Sequence, residues 1–200
     1  MTNQKLGILL VAGASIALAG CMKNPTENVA NQAASENKTS AATSNDPVKS
    51  AESAAPASIA HDASVVTVDA SGAMKSLREG KNGWTCMPDS PATPGPDPMC
   101  MDANAGKWAQ AWIGHKPPPA NTVGVIYMLE GGTDASNTDP YAPNPTSDND
   151  WIKTGPHVMI VGSKEILAGM PQGAKPDTAA PYVMWGGTPY AHLMVPTSGQ

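Results

Sequence analysis

The sequence predicts an α+β fold: a single small domain of short, mainly antiparallel strands with one main helix, about residues 102–115, after a disordered tether. Three observations carry this. All five Trp and all four Tyr lie beyond Ser64, so the core belongs to residues 64–200. Beyond that point the apolar residues come in short runs of strand length, broken by Gly, Pro, Asn and Asp. One stretch alone has helical spacing: Trp108, Ala111, Trp112 and His115 fall at i, i+3, i+4 and i+7.

The elements follow in order. Val65-Val-Thr-Val-Asp69 is rich in β-branched residues and reads as the first strand. Ala73 to Glu79 reads as a second strand or a short helix. Asn82-Gly83 offers a type I′ hairpin turn into Trp84-Thr-Cys-Met87. Asp102 is placed to cap the helix, and Pro117-Pro118-Pro119 stops it. Val123 to Leu129 is a continuous apolar strand, expected to be buried on both faces. His157 to Val161, Tyr182 to Trp185 and His192 to Val195 are further strands, and Ser163 can cap a helical turn through Leu167. Mixed strands with one good helix point to α+β.

Tyr127-Met128-Leu-Glu-Gly-Gly-Thr133 echoes Tyr182-Val-Met184-Trp-Gly-Gly-Thr188, and each is followed by His-x-Met, His157-Val-Met159 and His192-Leu-Met194. Such an echo is either a chance recurrence of common residues or a degenerate duplication whose strand ends converge on one place.

Residues 22–63 contain no Trp, Tyr or Phe and almost no branched aliphatics. A stretch so poor in apolar area does not offset its ordering entropy, so it is expected to be a disordered linker. Ahead of it, one lysine (Lys5) precedes an apolar run from Leu6 to Ala17. Twelve residues rise only about 18 Å as a helix, too short for a bilayer core of about 30 Å. The run ends in Leu18-Ala19-Gly20-Cys21. Residues 1–21 resemble the signal peptide and lipobox of bacterial lipoproteins. The resemblance implies a signal peptide at 1–20, cleaved before Cys21, and a Cys21 carrying diacylglycerol on its sulfur and an acyl chain on its amino group. Two or more chains anchor a protein stably. Met22 does not resemble the Asp that retains such proteins in the inner membrane, so the resemblance favours the outer membrane, facing the periplasm. Gly83-Trp-Thr-Cys-Met-Pro88 and Pro181-Tyr-Val-Met-Trp-Gly-Gly-Thr188 also resemble stretches of uncharacterised bacterial exported proteins, which brings no activity.

Cys86 and Cys100 remain once Cys21 is lipidated. In an oxidising compartment such a pair is expected to form a disulfide, with a metal or redox role as the alternative. The loop between them carries Pro88, Pro91, Pro94, Pro96 and Pro98.

Three site chemistries are open. Met87, Met99 and Met101 lie beside the cysteines, and soft thioether and thiolate donors select Cu(I). In a strand, residues i and i+2 share a face, so His157 with Met159, and His192 with Met194, could hold one ion. Histidine–methionine pairs at this spacing resemble those of periplasmic copper chaperones, over six residues only. Against this, a chain without Phe uses Met as core filler. A hydrolase-like enzyme would use His157 and His192 as bases with Glu130. Its weakness is the lack of any nucleophile elbow, zinc-helix motif, phosphate loop or dinucleotide fingerprint. Calcium would use Asp134, Asn137 and Asp139, whose spacing does not match an EF-hand. Residues 64–200 hold eight Lys or Arg against twelve Asp or Glu, and Arg78 is the only arginine. Without clustered cations, nucleic acid is excluded as a partner. The expected function is therefore non-enzymatic: a lipid-anchored envelope protein that binds a small ligand or an envelope partner, without a resident cofactor. Its pocket is expected near the two Gly-Gly loops.

Overall fold

Short β-branched and methionine-rich runs become strands in the computed structural model, which describes residues 45–69 and 72–197. The expected signal, Cys21 and the linker up to residue 44 lie outside the described residues. The chain enters through two short helices, α1 (Pro47–Ser53) and α2 (Ala57–Ala60). Strands β1 (Ser64–Val68), β2 (Met74–Arg78), β3 (Thr85–Met87) and β4 (Met99–Met101) follow. Next come α3 (Ala103–Ile113) and β5 (Val123–Met128). Two-residue strands β6 (Ala135–Ser136) and β7 (Trp151–Ile152) pair with each other. Then come β8 (His157–Gly162), a 3-10 turn (Lys164–Leu167), β9 (Tyr182–Met184) and β10 (His192–Pro196).

The other eight strands form one sheet in the order β2-β1-β3-β4-β5-β8-β10-β9. All its pairings are antiparallel except β1 with β3. That exception corrects the expected Asn82-Gly83 hairpin. β2 and β3 lie on opposite sides of β1, so the turn does not pair its flanks. Asn82 instead caps locally, accepting from Trp84 N and donating to Ile59 O.

The expected linker boundary at residue 63 is also corrected. Asp46 caps α1 by accepting from Val48 N, and Pro47 fills the first helical position, where no donor is needed. Ala51, Ala54, Ala60 and Ala63 are fully buried beside Val65, Cys86 and Cys100. Alanine removes little apolar area, but it lets helix backbone approach sheet closely. Arg78 clips this corner together. Its guanidinium pairs with Glu52 and donates to the carbonyls of Ala60 and Ala63.

Asp102 caps α3 through Ala105 N, as expected, and its second carboxylate oxygen accepts from Val125 N. One side chain thus fixes helix to sheet. The helix ends at Ile113, two residues before the expected limit. β5 alternates rather than being buried on both faces: Gly124, Ile126 and Met128 are buried, while Val123 is exposed. α3 covers one face of the sheet, and α1–α2 cover the other over β1, β3 and β4. Among the described residues no helix is long and apolar enough to cross a membrane.

Cys86 and Cys100 form a disulfide between directly paired positions of β3 and β4, with their Cα atoms 4.0 Å apart. Both sulfurs lie on the α1–α2 face, because the neighbouring residues Met87, Met99 and Met101 take the opposite one.

A candidate ligand cavity over a methionine–histidine floor

Strand register explains how the site is built. Met159 pairs with Met194 across β8 and β10. Met128 pairs with His157, and Ile126 with Met159. Met184 pairs with His192, and Tyr182 with Met194. Directly paired residues share a face, as do residues two apart. Extended through β4 and β3, the same rule puts seven of the nine methionines beyond residue 63 on the α3 face: Met87, Met99, Met101, Met128, Met159, Met184 and Met194. The echo noted in the sequence thus has a geometric counterpart. A local two-fold at the Met159–Met194 pair relates β5–β8 to β9–β10, and each half sets a methionine opposite a histidine.

Above this floor lies a cavity of about 740 Å³. Trp108 and Trp112 of α3 and Trp185 line its wall, and His157 and His192 are among its lining residues. Trp108 stacks on both Trp112 and Trp185 with ring centroids 6.2 Å apart, and Trp112 lies tilted against Trp185 at 5.0 Å. Trp185 holds a left-handed backbone, φ 56°, directly before Gly186 and Gly187. A bulky residue there costs on the order of 1–2 kcal/mol. The indole is held in place by donating to Ser136 O at 2.9 Å. The charged lining is acidic: Asp97, Asp134 and Asp139 belong to it, and none of the lining residues is Lys or Arg.

The two histidines are held alike. Nδ1 of His157 lies 2.6 Å from Gly155 O, and Nδ1 of His192 lies 3.0 Å from Tyr190 O. In each case the partner is the carbonyl two residues earlier. A carbonyl only accepts, so Nδ1 carries the proton and Nε2 keeps its lone pair. Nε2 of His192 is sealed from solvent and has no hydrogen-bond partner among the described residues. Its ring sits edge-on to Trp108 and Trp185, at centroid distances of 5.3 and 4.9 Å. Burial pushes the His192 pKa down to about 4 and also lowers that of His157. Both rings are neutral at pH 7.

The candidate residues sort clearly against this geometry. His157, Met159, His192 and Met194 come together on one floor. Glu130 is not among the cavity-lining residues, and both histidines are oriented by backbone carbonyls, not by a carboxylate. His115 leaves the helix at φ 52°, stacks on Tyr141 with centroids 4.0 Å apart and is not among the cavity-lining residues. Asp134, Asn137 and Asp139 are spent on loop structure. They accept from Thr154 N, donate to Gly173 O and Ala174 O, and accept from Tyr141 N, respectively. Among the described residues no three His, Cys, Asp or Glu side chains gather as metal ligands would. The cysteines expected beside a copper ion are in the disulfide and on the other face.

Trp108 is buried in the core with Trp112 packed against it, but sequence reasoning missed that both also line the cavity. It also missed Met128 and Met184 as partners of the histidines, although the Tyr-Met-Gly-Gly echo held the clue. No known protein family, curated protein or solved structure matches the chain.

Proposed function

We propose that this is a lipid-anchored envelope protein whose job is to bind a small, largely apolar ligand, neutral or cationic, in the tryptophan–methionine cavity. The single observation that carries the reading is the cavity itself. Its volume is in the usual range for small-molecule sites, its wall is aromatic, its floor is soft and adaptable, and its charged lining residues are acidic. Flat apolar groups gain from indole faces, and a cationic end would gain from both the indoles and the carboxylates. Anions meet only like charge. The strained backbone at Trp185 supports the reading, since such strain persists where surrounding structure holds a side chain to a task.

The test is titration of the full-length protein in detergent with N-phenyl-1-naphthylamine, a neutral apolar dye, read against the same micelles without protein. Dye emission is expected to rise while tryptophan emission falls. Ala109 is half-buried and lines the cavity. Ala109→Trp is expected to weaken dye binding at least about tenfold, about 1.4 kcal/mol, with the thermal midpoint kept. Dye binding unaffected by this filling, or absent altogether, would overturn the cavity as the site.

The anchor rests on the lipobox resemblance of Leu18-Ala-Gly-Cys21, with the outer membrane, on its periplasmic side, as the favoured location. Cells fed labelled fatty acid are expected to yield labelled protein in the membrane fraction. Cys21→Ser is expected to abolish the label and the membrane association together. Persistence of membrane association in that variant would remove the anchor.

A further inference from the structure

We infer that the cavity floor carries two equivalent sites for a soft monovalent metal, Cu(I). One is formed by His157 with Met128 and Met159, the other by His192 with Met184 and Met194. Four observations support this. The register sets each histidine directly opposite a methionine and two residues from another on the same face. One imidazole nitrogen and two thioethers make a three-donor set of the kind that selects Cu(I) over Zn(II), Mg(II) or Ca(II). Each histidine donates Nδ1–H to a backbone carbonyl, the arrangement that fixes a metal-binding imidazole with Nε2 as the ligand. Among the described residues Nε2 of His192 has no partner, which in a buried site calls for one.

The register also sets the stoichiometry. His157 lies two residues to one side of the Met159–Met194 pair, and His192 two residues to the other side. In antiparallel strands this puts their Cα atoms roughly 13–14 Å apart. Each histidine has its own methionine opposite it and its own methionine two residues on, so the donors form two complete sets. The thiolates are tied up in the disulfide, and the carboxylates of the lining belong to loop turns. The thioethers and imidazoles are the donors left.

This goes beyond the organic ligand proposed above, and the experiment separates the two. The full-length protein is titrated anaerobically with Cu(I) against a chromophoric Cu(I) chelator, and in parallel with Ag(I), a redox-inert stand-in. Two equivalents per chain are expected, with X-ray absorption at copper fitting one nitrogen and two sulfurs. Met184→Leu with Met194→Leu keeps shape and apolarity, and is expected to remove one equivalent. Met128→Leu with Met159→Leu is expected to remove the other. No competition with the chelator, or unchanged stoichiometry in either double variant, would overturn the metal sites. Loss of dye binding alone leaves them standing and removes only the organic ligand.

Discussion

Replacing Cys86 and Cys100 together by alanine is expected to lower the unfolding free energy by about 3 kcal/mol, the value for closing a loop of some 15 residues. The two positions are 14 residues apart. Two effects modify that figure in opposite directions. Five prolines in the loop already restrict the unfolded chain, which reduces what the cross-link adds. Both sulfurs are fully buried against Ala51 and its neighbours, so their removal also leaves a void. The effect should spread to the site, because Ala92, Thr93, Pro94 and Asp97 of this loop line the cavity. Denaturant unfolding of the double variant, beside the parent with and without reductant, measures it. An unchanged midpoint would mean that the bond holds nothing.

Gly124→Ala is expected to cost about 3 kcal/mol or more, at the upper end for overpacking. A Cβ on Gly124 would lie 2.3 Å from Ala105 N and 2.7 Å from Ala105 Cα. These are backbone atoms of α3, which cannot rotate aside as a side chain would. Either the helix lifts from the sheet or β5 bends away. Lifting the helix breaks the double hold of Asp102 on Ala105 and Val125 and moves Trp108 off the cavity. Gly173→Ala is the control, since a Cβ there meets nothing within 4 Å. Thermal midpoints of the two variants should differ by many degrees, and equal midpoints would refute the close approach.

Local signals in the sequence were reliable where one residue type does one job. Val65-Val-Thr-Val68 and Val123–Met128 are strands because β-branched and apolar runs suit a pleated, half-buried surface. Asp102 caps because a carboxylate there meets a free backbone donor. The alanine helices α1 and α2 were hidden because hydropathy counts area, whereas alanine contributes closeness. The Asp46-Pro47 pair was the legible signal. The parallel β1–β3 pairing was not legible, since a turn signal reports only its neighbours. At the site, His-x-Met was readable as a motif, but its meaning needed register. Only pairing brings Met128 to His157 and Met184 to His192. The indole wall needed the whole fold, because Trp185 arrives from a different part of the chain than Trp108 and Trp112.

The two ends of the eight-stranded sheet have a consequence for how the molecule behaves among its own copies. An open edge offers donors and acceptors to any passing strand, and a flat sheet can grow by polymerisation. β9 ends the sheet on one side, but Val183 N already donates to Pro171 O, and all three of its residues are buried. β2 ends it on the other. That strand is exposed over Met74, Lys75 and Ser76, so that Lys75 sets a charge on the edge, and the register shifts between Val65 and Val66. Charge and a bulge make it a poor template. One edge is capped and the other is repelling and irregular, so copies crowded side by side would remain separate particles rather than joining into fibres.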